Sequence, residues 1–171
     1  MTNHFVIIMI ILTMIFFESI PRVCELAAVI GTKTRRAIQL CLKPFGITVD
    51  QFGTLLVLLH AQGISQRELA AALETDTTTA MVICDGLEKR GLATRRRDSE
   101  DRRSNLLSIT PKGQRLVAKA SIAVERFASP LMSVLTTEEV DRITPALERL
   151  AARANQLQQQ ASLPARKRRI P

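Results

Sequence analysis

Apolar residues recur along this chain with two different periods, and the change of period marks its organisation. Residues 26–42 place Leu26, Val29, Ile30, Ala37, Ile38, Cys41 and Leu42 at helical spacing, with Lys33, Arg35 and Arg36 off the stripe. Pro44 and Gly46 end that helix. Thr48 and Gln51 form a capping-box pattern ahead of a second helix, which buries Phe52, Leu55, Leu56 and Leu59 and stops at Gly63. Ser65 and Glu68 repeat the capping pattern before a short helix whose Leu69, Ala72 and Leu73 face inward. Asp76 opens the next helix, which runs to Arg90 and Gly91. Its core stripe is Ala80, Ile83, Cys84 and Leu87, leaving Thr77, Thr78, Met81, Val82 and Asp85 on the opposite face.

The period then shortens. Residues 92–97 and 105–110 read as two strands around the loop 98–103, with Leu107 and Ile109 alternating with polar neighbours. Pro111 suits the first position of a long helix to about residue 135, carrying Leu116, Ala120, Ala123, Val124 and Phe127 on one stripe. Pro130 should kink or break it. Thr136 and Glu139 cap a last helix with Val140, Ile143, Leu147, Leu150 and Ala154 in register and a further kink at Pro145. From Gln156 the chain is Gln-rich and then basic, which predicts disorder. A helix-turn-helix followed by a basic hairpin is a winged helix, an architecture that grips duplex DNA. The predicted class is thus mainly α with a small β-hairpin wing, an α+β fold.

Charge sharpens this picture. The 171 residues carry a net +8, a balance suited to a polyanion or an anionic membrane surface. Seven bases (Lys89, Arg90, Arg95, Arg96, Arg97, Arg102, Arg103) face three acids between positions 89 and 103, and such a run repels itself unless a polyanion is near. The absence of Trp and Tyr argues against a stacking platform for single strands. Cys24, Cys41 and Cys84 form no paired motif, so neither a zinc site nor a disulfide scaffold is expected. No phosphate loop or assembled nucleophile, base and metal set is visible, so the chain reads as no enzyme and as needing no cofactor.

Residues 5–17 are almost wholly apolar but too short to span a bilayer, which takes about 20 residues. Four readings stay open: an extension packed on a partner subunit, a segment ahead of a downstream translation start, a membrane anchor, or a cleaved signal.

The strings at 91–113 (Gly91-Leu92 through Thr110-Pro111-Lys112-Gly113), 47–52 and 65–70 resemble the MarR family of bacterial transcription regulators. The resemblance covers about residues 26–157, and matching domains usually begin near Val23. It implies a winged helix-turn-helix domain at 47–112, flanked by a dimerisation helix at 23–46 and dimerisation helices at 113–157, with an apolar extension at 1–22 and a basic disordered tail at 158–171. It implies an obligate, cytoplasmic homodimer that binds double-stranded DNA, a repressor released by a small, aromatic or phenolic effector held in a crevice beside the dimerisation helices. The DNA-binding residues implied are Ser65, Gln66, Thr77, Thr78, Thr79, Met81, Val82, Arg95, Arg96, Arg97, Arg102 and Arg103, with Arg103 in the minor groove and Asp101 bracing the wing. Members often carry Arg, Lys or Gln where this chain has Thr77 and Val82, so base reading should favour A·T pairs. Two alternatives accompany this reading. One is a membrane-associated basic protein anchored by residues 5–17. The other is a peroxide-sensing regulator using Cys24, although the tyrosines that activate the thiol in that branch are missing here.

Overall fold

The computed structural model describes residues 22–61, 63–97 and 105–162. The expectations for residues 5–17, for Asp101, Arg102 and Arg103, and for the basic tail beyond 162 lie outside the described residues. The elements are α1 (Arg22–Leu42), a 3₁₀ turn (Lys43–Phe45), α2 (Val49–His60), β1 (Ile64–Ser65), α3 (Gln66–Ala72), α4 (Thr77–Lys89), β2 (Ala93–Arg97), β3 (Asn105–Ile109), α5 (Pro111–Met132) and α6 (Thr137–Ser162). The three strands form one antiparallel sheet in the order β1-β3-β2. The chain divides into two compact units, Met1–Phe127 and Ala128–Pro171.

In the first unit Leu55 and Leu58 of α2, Leu69 of α3, Leu87 of α4 and Leu107 of β3 converge with Leu42 and Leu92 in one core, each at most 1% exposed. Each such leucine contributes roughly 1.5–3 kcal/mol by leaving water. The sheet is tied in by register: Leu107 faces Arg95 on one side and Ile64 on the other. Thr54 is also buried, its hydroxyl donating to the Asp50 carbonyl at 2.8 Å, so a polar residue fills a core position without an orphaned group.

Several sequence expectations change. Helix α1 begins at Arg22, where Arg22 pairs with Glu25 one turn on at 3.0 Å. Helix α2 ends at His60 and buries Leu58, while Leu59 is 38% exposed. In α3 it is Ala70 that is buried and Ala72 that is exposed, because the helix packs through its Leu69–Ala70 edge. β1 was not anticipated: two residues cannot show a period of two. Helix α5 continues through Pro130, which falls in its last turn, where a proline removes only one hydrogen bond; the Ser133 hydroxyl donates to the Pro130 carbonyl.

In the second unit α6 likewise continues through Pro145 and extends to Ser162, past the point where disorder was expected. Gln, Ala and Leu are good helix formers, and this favours helix across the Gln-rich stretch. The predicted cap is present: Glu139 N–H donates to Thr136 Oγ1 at 3.3 Å, and Thr136 N–H donates to Glu139 Oε2 at 2.8 Å.

Candidate nucleic-acid interface

Two capped helices and a four-residue connection build the helix-turn-helix. Ser65 and Glu68 exchange reciprocal bonds at the start of α3, 3.3 Å and 2.9 Å. The Ser65 hydroxyl and amide hold the Glu68 carboxyl below the usual carboxylate range. At the start of α4, Asp76 accepts from the Thr79 hydroxyl at 2.6 Å and from its amide at 2.9 Å, and these two bonds, the hydroxyl foremost, hold the Asp76 carboxyl low. The Thr79 hydroxyl proton is therefore engaged by the cap, although the resemblance implies a DNA contact there. Thr77 and Thr78 remain exposed beside it, while Ser65 and Gln66 are half-buried at the start of α3.

Helix α4 divides as its pattern predicts. Ala80, Cys84 and Leu87 are buried, whereas Met81 is 37% and Val82 67% exposed. Burial pushes the Cys84 thiol up to about 11, against a smaller opposing pull from Arg95. A Schellman turn closes the helix: Leu92 N–H donates to the Leu87 carbonyl at 2.9 Å, and Gly91 N–H to Glu88 at 2.8 Å. Gly91 adopts φ +66°, the left-handed conformation that this closure requires.

The three consecutive arginines of β2 separate. Arg95 shares a face with Leu107 and turns toward α4, where its guanidinium meets Asp85 at 2.8 Å and Glu88 at 3.3 Å; its side chain is 21% exposed. It braces the hairpin against α4 instead of reaching outward, a role sequence reasoning had given to Asp101. Arg96, one residue on, lies on the opposite sheet face, and Arg97 is exposed at the end of β2. Below them Thr110-Pro111-Lys112-Gly113 locks hairpin to helix. The Thr110 hydroxyl donates to the Gly91 carbonyl at 2.8 Å and accepts from Gly113 N–H at 3.1 Å. Lys112 Nζ donates to the Arg90 carbonyl at 2.7 Å, a cation at the C-terminal end of α4. Gly113 has no room for a side chain: a Cβ there would overlap the Leu92 carbonyl oxygen and come within 2.8 Å of Ile109 Cγ1. Arg90 in turn donates to the Gly46 and Phe45 carbonyls at 2.6 Å and 3.0 Å, tying the base of α4 to the turn before α2.

The MarR family model matches residues 45–104, the span from the turn before α2 to the hairpin loop. The transcriptional repressor MprA of Escherichia coli K12 is 33% identical over 120 residues, covering 69% of this chain and 68% of MprA. The chain belongs to the MarR family. These proteins are transcriptional regulators. Curated relatives are matched over about two thirds of their length, 63% in one and 68% in another. A MarR variant from E. coli complexed with operator DNA superposes with a TM-score of 0.72 at 25% identity, covering 78% of this chain and 96% of that one. CouR from Rhodococcus jostii RHA1 bound to p-coumaroyl-CoA superposes with a TM-score of 0.71 at 27% identity, covering 76% and 92%.

Two further features belong to this MarR lobe. Cys24 is an exposed free thiol in the first turn of α1, Cys41 is half-buried and Cys84 fully buried. A groove of about 410 Å³ runs between α1 and α2, lined by Thr32, Arg35, Arg36, Gln39, Leu40 and Val49. Arg35 bridges it through two 2.8 Å bonds to Asp50. Gln39 spans the same gap, donating to the Ile47 carbonyl and accepting from Val49 N–H. Among the described residues no single helix is long and apolar enough to cross a membrane.

Proposed function

We propose that this protein is a homodimeric repressor of the MarR type that binds double-stranded DNA and is released by a small ligand. The observation that carries the reading is the juxtaposition of an α4 outer face, bare of packing at Thr77, Thr78, Met81 and Val82, with a cationic hairpin braced onto the same helix through Arg95. Helix α4 enters the major groove. The Thr77 and Thr78 hydroxyls donate to phosphates, and Met81 and Val82 lie against thymine methyls, the one base-edge feature an apolar side chain can read. Arg97 and Arg102 contact the backbone, and Arg103 enters the adjacent minor groove, whose negative potential in narrow A·T tracts suits a weakly hydrated guanidinium.

Uncovered apolar stripes support the dimer. On α1, Val23, Leu26, Val29 and Ile30 are 43–58% exposed at helical spacing. On α6, Ile143, Leu147, Leu150 and Leu157 are 41–49% exposed at steps of four, three and seven residues, the spacing of a helix–helix seam. A second copy of the chain is the occupant that the family fold supplies. The relative MprA is a repressor and MarR has been captured on operator DNA, which supports the same role here, as a cytoplasmic binding protein and not an enzyme. CouR holds an aromatic acyl thioester, and the α1–α2 groove with its Arg35 and Arg36 is the effector crevice we assign.

The test is a salt titration of duplex binding, comparing random-sequence and A·T-rich DNA. A dimer neutralising about 6–10 phosphates gives a log–log slope of about −5 to −9. Arg103→Ala weakens binding by about 1–3 kcal/mol per subunit. A dimer that binds no duplex at low salt would end the proposal.

A further inference from the structure

The turn between α1 and α2 is held from two sides. From α1, Gln39 donates to the Ile47 carbonyl at 3.2 Å and accepts from Val49 N–H at 3.1 Å. From the end of α4, the Arg90 guanidinium donates to the Gly46 carbonyl at 2.6 Å and to the Phe45 carbonyl at 3.0 Å, across 44 and 45 residues of sequence. The turn itself has little slack. Gly46 sits at φ +65°, its N–H donates to the Lys43 carbonyl at 3.0 Å, and Ile47 beside it is 2% exposed in the core. Arg90 is committed to this contact. Among the described residues it pairs with no carboxylate, and its Nη1 and Nη2 take two successive carbonyls, a fork that a guanidinium offers and an ammonium does not. Its own carbonyl accepts from Lys112 Nζ at 2.7 Å, which adds α5 to the same junction. One turn earlier, Gly86 lets α4 lie close on the first turn of α2: a Cβ there would come within 3.1 Å of Gln51 Nε2.

We propose that Arg90 is a positioning residue for DNA recognition: through the 45–49 turn it fixes the angle of α4 against α1, and in a dimer built on α1 that angle sets the spacing of the two recognition helices. Its consequence for DNA rests on the repressor reading, whereas the angle is a property of the chain without DNA. The lever is long. Helix α4 has 13 residues, so at about 1.5 Å per residue its Thr77 end lies roughly 20 Å from the junction. A tilt of about 10° at the base moves that end by about 3 Å, close to the 3.4 Å step between base pairs. A small loss of definition at Arg90 therefore shifts each recognition helix by about one base pair, while the cations of the hairpin stay in place.

The experiment has two arms, both on the full chain. In the first, without DNA, nitroxide labels are placed on α1 (Lys33→Cys) and on α4 (Thr78→Cys), two exposed positions, with Cys24→Ser and Cys41→Ser. The labelled chain is diluted into unlabelled chain, and pulsed electron spin resonance reads the distance within one chain. A native Arg90 gives one narrow distribution. Arg90→Gln shifts or broadens it by about 2–3 Å, the displacement that the lever gives. Arg90→Lys, which keeps the charge but not the fork, falls between the two, and Arg115→Gln, which removes an exposed cation of α5, leaves the distribution unchanged. Should Arg90→Gln fail to fold, Arg90→Lys decides by the same outcomes. In the second arm, selection by the wild type from a pool of random duplexes supplies an inverted repeat, which is then remade with its half-sites one base pair closer and one base pair further apart. The wild type prefers the selected spacing by about tenfold, within the usual cost of a mismatched site. In Arg90→Gln that preference falls to about twofold or moves by one base pair, while affinity for random-sequence duplex stays within about twofold. An unchanged distance distribution with duplex binding intact overturns the positioning role alone. An unchanged spacing preference overturns it too, as does a salt slope lowered by about one per subunit, which would make Arg90 a phosphate contact. A wild type that binds no duplex overturns the repressor reading and with it the consequence for DNA, and the distance arm tells that failure from the other.

Discussion

Arg95→Ala separates a brace from a contact. The guanidinium lies 2.8 Å from Asp85 and 3.3 Å from Glu88, with 21% of the side chain exposed against 50% and 29% for its partners. Two exposed pairs would be worth about 0.2–1 kcal/mol each. Solvent at the half-exposed Asp85 discounts the first of these, while loss of the largely buried aliphatic stem adds packing. The sum is about 1–2 kcal/mol per chain, read as a lower urea midpoint at fixed protein concentration, since dimer stability depends on it. Asp85→Asn should overlap with Arg95→Ala, so that the double variant is less destabilised than the two single losses combined by about 0.5–1 kcal/mol. Duplex affinity falls in Arg95→Ala because the hairpin loosens and two carboxylates are uncovered beside the groove, yet the salt slope stays within about half a unit. A phosphate contact behaves otherwise: stability barely moves and the slope falls by about one per subunit. That second pattern would refute the brace and return Arg95 to the DNA-contacting set.

Other consequences follow from the same geometry. Gly113→Ala drives a Cβ into the Leu92 carbonyl and the Ile109 side chain and should lower stability by about 1–3 kcal/mol, checked by chemical denaturation. Alkylation at pH 8 should label exposed Cys24 well before buried Cys84, as read by mass spectrometry of digests. The Cys84 thiol is pushed up to about 11, so folding favours its neutral form. The resulting stability is whole below the ordinary value near 9 and is lost as the pH rises through 11, on the order of 2 kcal/mol in an alkaline series of melts. Leu147→Glu on α6 should shift the chain toward monomer in sedimentation, with folded helix retained by circular dichroism. Selection from random duplexes should return A·T-rich half-sites; a G-rich major-groove motif would contradict the thymine-methyl reading of Met81 and Val82.

The helix order, both caps of the helix-turn-helix and the closing turn at Gly91 were legible because each depends on local chemistry: a side-chain oxygen three residues before its amide, or a residue that tolerates positive φ. The outer face of α4 was legible for the same reason, since helical period alone sets Ala80 and Cys84 against Met81 and Val82. What was not legible depends on partners far away in sequence. Arg95, Arg96 and Arg97 are chemically identical in a sequence, and only the β2–β3 register and the position of α4 send the first to Asp85 and Glu88. The proximity of Asp85 and Glu88 on α4, spaced three apart and ten and seven residues before Arg95, was a usable signal once the hairpin was expected to fold back. β1 has too few residues for any pattern, and it exists because Leu106 and Leu107 offer it an edge.

The division of labour on this surface has a consequence for specificity. Positive charge is concentrated on the hairpin, and charge binds phosphates of any sequence. In the proposed mode α4 faces base edges with Thr77, Thr78, Met81 and Val82, none of which can form a bidentate bond to a purine, each such bond being worth about 1–3 kcal/mol of discrimination. A single lobe therefore binds DNA with little preference. Discrimination has to come from features two lobes share: the spacing between half-sites fixed by the dimer, and the groove width that a guanidinium senses. Anything that alters the separation of the lobes then acts on specificity before it acts on affinity, because the electrostatic contribution of each hairpin survives the change while the register between half-sites does not.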